Sequence, residues 1–358
     1  MSEPSIRDSQ LSLRDSQLSL RDALARIVDG KNLSSDDMAA VVGQIMDGQA
    51  TAAQIGALLA GLRMKGETVD EVVGAARAMR ARMTPIAFAG EVTVDCCGTG
   101  GDGSRSVNVS TIAAFVIAGA GVVVPKHGNR AQSSQAGSHD VIEALGLDPA
   151  PKPDVVARCL AEAKLAFLFA PAHHAATKHA VGPRKEVGFR TMFNLLGPLT
   201  NPASARYAVN GIFARDRCEL LARAHGALGS KRAMVIHGAG GLDEFAPTGT
   251  TFVAEWTGAE VKSYEVRPGD FGLEESDPAG LAGGTPADNA RLALEVLGGR
   301  GPAAARNAAL MTAAAALTVV GVAADLRDGA ARARDALSSG AAMGVLETLR
   351  RIAPRAVT

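Results

Sequence analysis

Apolar positions between residues 19 and 84 recur three and four residues apart, which is the spacing of one face of an α-helix. Three polar pairs have the pattern of an N-cap residue with its partner three positions later: Ser34 with Asp37, Thr51 with Gln54, and Thr68 with Glu71. Glycines stand where helices should end, at Gly30, Gly48 and Gly66. The segment 19–84 therefore predicts a small domain of four short helices, closed by Thr84-Pro85.

After Pro85 the pattern changes to short apolar runs, each followed by a glycine loop or a helix. The predicted strands are 92–96, 121–125, 166–170, 207–212 and 233–237, with an antiparallel pair at 251–256 and 261–266. From Pro286 onward the Ala-rich chain predicts helices. This alternation is typical of an α/β fold, so we expect a large α/β domain over 85–358 with a central mixed sheet flanked by helices.

The N-terminal segment is a local repeat, SIRDSQL followed by SLRDSQL and SLRD over residues 5–22. Its apolar residues alternate spacings of five and two, which do not build a coiled-coil seam. Chain termini are usually poorly ordered, so we expect a disordered leader over residues 1–18.

The charge balance and the cysteine pattern disfavour several classes of protein. The 358 residues carry 37 Lys and Arg against 37 Asp and Glu, and a net charge of zero disfavours nucleic acid or an acidic membrane as partner. The four cysteines show no framework spacing, which favours reduced thiols. No apolar secretory segment is present, and the Ala-, Gly- and Thr-rich stretch 308–324 predicts a buried helix rather than a membrane span. We therefore expect a cytoplasmic location.

A glycine-rich stretch follows the first predicted strand. Gly98, Gly100 and Gly101 fall within four residues, and a helix is predicted from about Asn108. Backbone N–H groups of such a loop, with the positive end of a helix dipole, bind phosphate or pyrophosphate. The alternative is a tight structural turn with Asn108 as a helix cap. The loop is neither GxxxxGK[ST] nor GxGxxG, which disfavours ordinary nucleotide sites.

A second loop rich in donors follows the next strand. Lys126 and Arg130 are cationic, hydroxyl groups follow in the same loop, and a helix is predicted from Ser138. Alone, the loop could be a solvated basic turn with His127 as a structural hydrogen-bonding residue. Ligands of α/β sheets bind beyond the carboxyl ends of strands, however, so two such loops after successive strands favour a phosphate site.

Histidine and arginine residues dominate the segment after the third strand. Three histidines, His173, His174 and His179, invite a zinc hypothesis, but no cysteine or carboxylate lies at ligand spacing, which favours helix-surface or anion-facing roles. Arg184 and Arg190 have the planar, bidentate chemistry that suits a carboxylate ligand.

Two adjacent carboxylates, Asp243 and Glu244, follow a strand and a glycine loop. Mg²⁺ is commonly held by one or two carboxylates together with substrate phosphates. The alternative is an ordinary solvent-exposed pair.

Five motifs in this order resemble those of the anthranilate phosphoribosyltransferases: GTGGD at 98–102, NVST at 108–111, KHGNRAQSS at 126–134, FRTMFNLLGPLTNP at 189–202 and HGAGGLDE at 237–244. The resemblance runs from about residue 20 to the C-terminus and includes LLAGLRMKGET at 58–68. Two departures stand out. Residues 174–178 are His-Ala-Ala-Thr-Lys where the family has His-Pro-Ala-Met-Lys, and the repeated leader has no family counterpart.

The resemblance implies a nucleoside phosphorylase/phosphoribosyltransferase-like fold, in which a later helical segment, about 174–203, packs on the small helical domain. It also implies a homodimer formed through that domain. The implied reaction transfers the phosphoribosyl group of phosphoribosyl pyrophosphate to the amine of anthranilate, in tryptophan biosynthesis. Both substrates are small molecules, and the implied cofactor is Mg²⁺.

The resemblance also implies site residues. Those expected to bind phosphoribosyl pyrophosphate are Gly98, Gly101, Asp102, Ser106, Asn108, Val109, Ser110, Thr111, Lys126, His127, Gly128, Asn129, Arg130, Ser133, Ser134 and Ser138. Those expected to face anthranilate are Gly98, Asn129 and Arg184, and those expected to hold Mg²⁺ are Ser110, Asp243 and Glu244. No residue is assigned as general acid or base.

Two alternatives share this fold. A pyrimidine nucleoside phosphorylase would use a similar glycine-rich phosphate loop, but KHGN, Arg184 and LDE match the transferase pattern better. A non-catalytic nucleic-acid-binding relative is disfavoured by the zero net charge and by the complete set of donor and metal residues.

Overall fold

The computed structural model describes residues 18–88, 90, 92–131 and 135–355. Residues 1–17 of the leader, for which we expect disorder, lie outside the described residues. The described chain forms two compact units, one comprising 18–84 with 174–200 and the other 85–173 with 201–355. In these ranges no helix is both long enough and apolar enough to cross a membrane.

Helices account for most of the secondary structure. In chain order they are α1 Leu20–Val28, α2 Ser35–Met46, α3 Ala52–Lys65, α4 Val69–Arg80, α5 Val109–Gly119, α6 Ser138–Ala144, α7 Pro153–Arg158, α8 Ala170–His173, α9 Lys178–Val187, α10 Phe193–Leu196, α11 Cys218–Ala227, α12 Pro286–Leu297, α13 Ala303–Val319, α14 Leu326–Ser338 and α15 Ala341–Ile352. The first four match the four short helices predicted in the N-terminal segment.

The helical unit begins and ends its helices as the polar pattern predicts. Thr51 and Thr68 form complete capping boxes with Gln54 and Glu71, and Ser34 Oγ accepts a hydrogen bond of 3.1 Å from the N–H of Asp37. The three helix-ending glycines have φ of 72°, 74° and 87°, the left-handed region that glycine adopts at lowest cost.

The described residues of the α/β unit contain seven strands in two sheets. They are β1 Val94–Gly98, β2 Val124–Gly128, β3 Leu165–Phe169, β4 Tyr207–Gly211, β5 Arg232–Gly238, β6 Thr251–Trp256 and β7 Val261–Val266. A five-stranded sheet has the order β1-β4-β5-β6-β7, in which the β1-β4 and β4-β5 pairs are parallel and the β5-β6 and β6-β7 pairs are antiparallel. The parallel pair β2-β3 is joined to its β1 edge by a single bridge between Thr93 and Val123. The predicted mixed sheet is therefore confirmed.

The strands lie close to their predicted positions. The largest displacement is in β2, which begins three residues later than predicted, at Val124. Val123, although apolar and extended, forms only the single bridge to Thr93. Hydrophobicity alone therefore marks where the chain is buried but not where ladder pairing starts.

The core of the α/β unit is built from small side chains. Every residue of α13 from Asn307 to Val319 is buried, which confirms the buried helix predicted at 308–324 and ends it at residue 319. Helices come close because they present Gly and Ala: a Cβ on Gly119 of α5 would lie 2.7 Å from the backbone nitrogen of Ala342 in α15. All four cysteines are buried free thiols, as expected.

Candidate active site

The loop after β1 contains several residues in the left-handed backbone conformation. Gly100, Gly101 and Gly103 have φ of 66°, 74° and 80°, and Arg105 also lies in the left-handed region at 53°. Left-handed residues interspersed in a loop turn successive N–H groups to one side and form an anion-binding nest. Within the loop, Ser104 donates its N–H to Asp102 Oδ1 at 3.0 Å. The geometry fits the predicted phosphate loop.

Asn108 occupies the N-cap position of α5, but its side chain does not cap the helix. Its Nδ2 donates to the carbonyl oxygen of Ala136 at 3.1 Å, and its Oδ1 accepts from Asn289 Nδ2 at 2.9 Å. The structural alternative of a capping asparagine is therefore wrong. Asn108 instead ties the start of α5 to the loop before α6 and to α12.

Lys126 is a buried cation rather than a surface donor, with a relative exposure of 2%. Its Nζ donates to the carbonyl oxygen of Cys96 at 2.6 Å and to Ser110 Oγ at 3.3 Å. Asp95 lies nearby in β1, accepting from Asn201 Nδ2 at 2.8 Å and from the N–H of His127 at 3.2 Å. Burial raises the pKa of Asp95, and the charge of Lys126 opposes that rise.

The loop after β2 is closed by one carboxylate. Asp140 Oδ2 accepts hydrogen bonds from the N–H groups of Ala131 at 2.8 Å and Gly137 at 2.9 Å, while Oδ1 accepts from Arg130 at 2.8 Å. Arg130 also pairs with Glu143 at 2.8 Å. The predicted donor Arg130 is thus engaged by two carboxylates.

The structure describes some of the other predicted residues of this loop, but not all of them. Ser138 Oγ donates to the carbonyl oxygen of Asn129 at 3.2 Å, which helps to close the loop. Gly128 ends β2, and His127 is buried in that strand. Ser133 and Ser134 lie outside the described residues.

Asp243 and Glu244 are both 8% exposed, so the interpretation as a solvent-exposed pair is wrong. Gly100 donates its N–H to Asp243 Oδ2 at 2.7 Å, and Ser110 donates its N–H to Glu244 Oε1 at 3.1 Å. Asp243 also donates its own N–H to Asp102 Oδ2 at 3.4 Å. These bonds join the phosphate loop, the first turn of α5 and the carboxylate pair into one cluster within the α/β unit.

The electrostatics of the carboxylate pair favour a cation. Burial raises the pKa of Asp243 well above its ordinary range, and repulsion from Asp102 adds to that rise. Burial likewise raises the pKa of Glu244, with repulsion from Asp243 as the next cause. A divalent cation beside the pair would stabilise both ionised forms.

The residues present fit Mg²⁺ completed by substrate oxygens. The described ranges contain no group of three or more His, Cys, Asp or Glu side chains arranged around a metal position, and the three histidines considered for zinc form none there. Mg²⁺ needs only one or two protein carboxylates when phosphates supply further oxygens. Asp243 and Glu244 provide these, and the hydroxyl of Ser110 lies in the same cluster.

Arg184 lies in the helical unit, on α9. Its guanidinium carbon is 5.2 Å from the centre of the Phe193 ring, a cation–π contact, and burial lowers its pKa. Among the described residues it forms no ion pair or hydrogen bond with a carboxylate, unlike Arg82, which pairs with Asp47 at 2.7 Å. A partly buried guanidinium of this kind suits a planar carboxylate ligand.

Sequence reasoning missed three residues that hold the site through hydrogen bonds: Asp140 and Asn289 lie outside the motifs, and Asn201 lies within one but had no assigned role. Asp140 follows Gly137 by three positions, a helix N3 signal that could have identified it as the residue closing the loop. Asn201, which holds Asp95, and Asn289, which holds Asn108, are separated from their partners by 106 and 181 residues. No local signal points to contacts of that range.

The chain is similar to known enzymes over most of its length. It matches the family described as "Glycosyl transferase family, a/b domain" over residues 90–343 and the one described as "Glycosyl transferase family, helical bundle domain" over residues 21–83. It is 49% identical over 327 residues to the anthranilate phosphoribosyltransferase of Moorella thermoacetica, covering 91% of this chain and 96% of that protein.

Solved structures of anthranilate phosphoribosyltransferases also superimpose on this chain. The anthranilate phosphoribosyltransferase of Thermus thermophilus superimposes with a TM-score of 0.88 at 38% identity, covering 92% of this chain and 99% of that one. The enzyme from Saccharomyces cerevisiae, in complex with phosphoribosyl pyrophosphate (PRPP) and Mg, gives a TM-score of 0.85 at 28% identity, covering 94% and 98%.

Proposed function

The chain belongs to the anthranilate phosphoribosyltransferase family, and from that premise we propose that it transfers the phosphoribosyl group of PRPP to the amine of anthranilate. The products are N-(5-phosphoribosyl)anthranilate and pyrophosphate, a step of tryptophan biosynthesis. The observation that supports this most directly is the hydrogen bond of 2.7 Å from Gly100 in the phosphate loop to Asp243. It brings anion-binding N–H groups and a buried carboxylate to the same strand ends.

The reaction forms a bond between the anthranilate nitrogen and the anomeric carbon of the ribose. The bond from that carbon to pyrophosphate breaks, its electron pair leaves with pyrophosphate, and the amine loses one proton. Negative charge therefore concentrates on the leaving group, and N–H donors fixed beforehand stabilise it. Bound Mg²⁺ would neutralise part of that charge.

We assign the donor site to the two loops and the start of α5. The nest formed by residues 98–105 faces the pyrophosphate, with Ser106 and the N-terminal turn of α5, Val109 to Thr111, adding donors. Lys126 supplies a buried positive charge, and Asn129 and Ser138 belong to the second loop. Arg130 acts through its ion pairs, which shape that loop.

Asp243 and Glu244 are proposed to hold Mg²⁺, together with Ser110. Their burial favours a cation, and the N–H groups of Gly100 and Ser110 already orient one oxygen of each carboxylate. Asp102, which accepts from the N–H of Asp243, would support the pair from the side of the phosphate loop.

For anthranilate we propose Arg184 as the partner of its carboxylate, with Gly98 and Asn129 facing the substrate. The support for Arg184 is chemical: a guanidinium beside an aromatic ring suits a planar aromatic carboxylate. No general base is assigned, because an aromatic amine is only weakly basic and positioning supplies much of the rate.

The homodimer and the cytoplasmic location stay predictions. Large apolar side chains exposed on the helical unit, Met64 at 88%, Val181 at 55% and Phe189 at 41%, support an association through that unit. Sedimentation velocity at micromolar concentration would test it, and a monomer would rule out the dimer under those conditions.

The activity is tested by following anthranilate fluorescence. We expect the signal to fall when PRPP and Mg²⁺ are both present and to persist when either is omitted. A persistent signal, with phosphate-dependent cleavage of thymidine or uridine instead, would assign a pyrimidine nucleoside phosphorylase. A nucleic-acid-binding relative would show neither reaction and would retard nucleic acid in a gel at physiological ionic strength.

A further inference from the structure

Three neighbouring strands of the sheet each end in glycine: β1 at Gly98, β4 at Gly211 and β5 at Gly238. We call these residues the glycine platform. Gly98 and Gly211 are register partners, and β4 lies between β1 and β5. The segment that carries Asp243 and Glu244 crosses directly over them.

The platform glycines leave room where a Cβ would be. A Cβ on Gly211 would overlap the carbonyl group of Asp243 and lie 3.2 Å from its Cα, and one on Gly238 would overlap the carbonyl oxygen of Glu244. A Cβ on Gly98 would overlap Asp243 Oδ2 and lie 3.1 Å from its Cγ. Gly98 therefore lies against the carboxylate of Asp243, and Gly211 and Gly238 lie against the backbone of Asp243 and Glu244.

Backbone conformation does not explain these glycines. None of the three is among the residues with positive φ, and Gly238 has φ of −82° and ψ of 157°, an extended geometry open to any residue. Alanine could adopt the backbone angles of each position. The requirement is space for the segment above, and not conformational freedom.

We propose that the glycine platform positions the Asp243–Glu244 pair for the metal-bound donor, with Gly211 as the principal positioning residue; this rests on the proposed function. At Gly211 the obstructing atoms are backbone, so the whole segment must move if a side chain is added. Such movement draws the carboxylates away from the N–H groups of Gly100 and Ser110, which hold them at 2.7 and 3.1 Å. Hydrogen bonds of this length weaken steeply with distance and angle.

Gly98 lies mainly against the side chain of Asp243. There the added methyl would meet the carboxylate oxygen of Asp243, the same Oδ2 that accepts from Gly100, and a side chain can rotate away more easily than a backbone can shift. Gly98→Ala should therefore misplace the Asp243 carboxylate while leaving the fold intact. It provides a second variant in case Gly211→Ala does not fold.

The experiment measures binding of Mn²⁺, a spectroscopic substitute for Mg²⁺, by the electron paramagnetic resonance signal of the free ion with and without protein at one fixed PRPP concentration, because PRPP itself binds Mn²⁺. Thermal unfolding is recorded for the same samples. The matched control is Gly329→Ala, whose Cβ would lie 2.6 Å from the carbonyl oxygen of Ala314, a backbone clash in the α13–α14 contact of the same unit.

We expect Gly211→Ala and Gly98→Ala to weaken Mn²⁺ binding about tenfold or more, whereas Gly329→Ala lowers the melting temperature without changing Mn²⁺ affinity. In an Asp243→Asn background, Gly211→Ala should add little further loss, because both changes act on the same pair. Folded Gly211→Ala or, if that variant does not fold, folded Gly98→Ala with wild-type Mn²⁺ affinity would overturn the inference. If the wild-type protein itself binds no Mn²⁺ with PRPP, the proposed function fails first.

Discussion

Asp140 offers a sharp test of how the second loop is held, because one carboxylate closes it. Its oxygens accept from Ala131 and Gly137 and pair with Arg130, all within 2.9 Å. Burial raises the pKa of Asp140, but the two N–H donors and Arg130 outweigh burial and lower it overall. The ionised form is therefore the one that closes the loop.

Asp140→Asn keeps the shape and removes the charge. A hydrogen bond to a charged group is roughly twice as strong as a neutral one, whose net contribution is about 1 kcal/mol. Two backbone bonds thus lose up to about 2 kcal/mol together, and the half-exposed Arg130 pair adds about 0–1 kcal/mol at most. Since the site is only partly buried, we expect a local cost of about 1–2 kcal/mol, which corresponds to roughly 5- to 30-fold weaker binding.

The assay is the KM for PRPP under saturating anthranilate and Mg²⁺. We expect Asp140→Asn to raise it by that factor, with only a small change in melting temperature. Glu143→Gln is the matched control, because Glu143 also pairs with Arg130 at 2.8 Å but receives no hydrogen bond from the backbone of the loop residues that the structure describes. Equal effects of the two variants, or an unchanged KM in Asp140→Asn, would refute the reasoning.

Further predictions concern charge and acid stability. Asp243→Asn combined with Glu244→Gln should lower kcat about 100-fold or more and abolish Mg²⁺ dependence, and unchanged kinetics would exclude the metal role. The same variant should have a higher melting temperature at neutral pH, because it removes two carboxyl groups whose ionised forms are disfavoured by burial and then by mutual repulsion. Arg184→Ala should raise the KM for anthranilate with little change in that for PRPP, and Arg184→Lys should recover only part of the loss. Burial lowers the pKa of His139 to about 3, whereas the unfolded side chain has a pKa of about 6.5. Below about pH 6.5 the unfolded state therefore binds a proton that the folded state does not bind. The free energy of unfolding then falls as the pH falls, by about 2 kcal/mol at about pH 5. His139→Gln should flatten urea unfolding free energies over that pH range, and an equally steep slope would contradict this.

Much of the fold is encoded locally. The capping pairs at Thr51 and Thr68 and the glycine at 66 mark helix boundaries because each satisfies backbone groups within a few residues. The strands are recognisable because their buried faces are apolar. The β1 loop could be predicted as an anion-binding nest for the same reason, since its left-handed glycines are neighbours in the sequence.

The rest depends on contacts that sequence spacing does not reveal. The burial of Asp243 and Glu244 follows from a segment lying on strand ends, and Gly211 lies 32 residues before Asp243. Lysine is usually a surface residue, but Lys126 is buried. Its ammonium group donates to the Cys96 carbonyl oxygen in β1 and to the Ser110 hydroxyl in α5. Nothing in the sequence around Arg130 indicates that it pairs with Asp140 and Glu143, which lie three residues apart on α6.

The transfer reaction itself is tested most directly by its stoichiometry. Phosphorus NMR of the protein with anthranilate, PRPP and Mg²⁺ should show one pyrophosphate released for each anthranilate consumed, and none when anthranilate is omitted. Pyrophosphate release that does not depend on anthranilate, or loss of anthranilate without pyrophosphate, would contradict the proposed transfer.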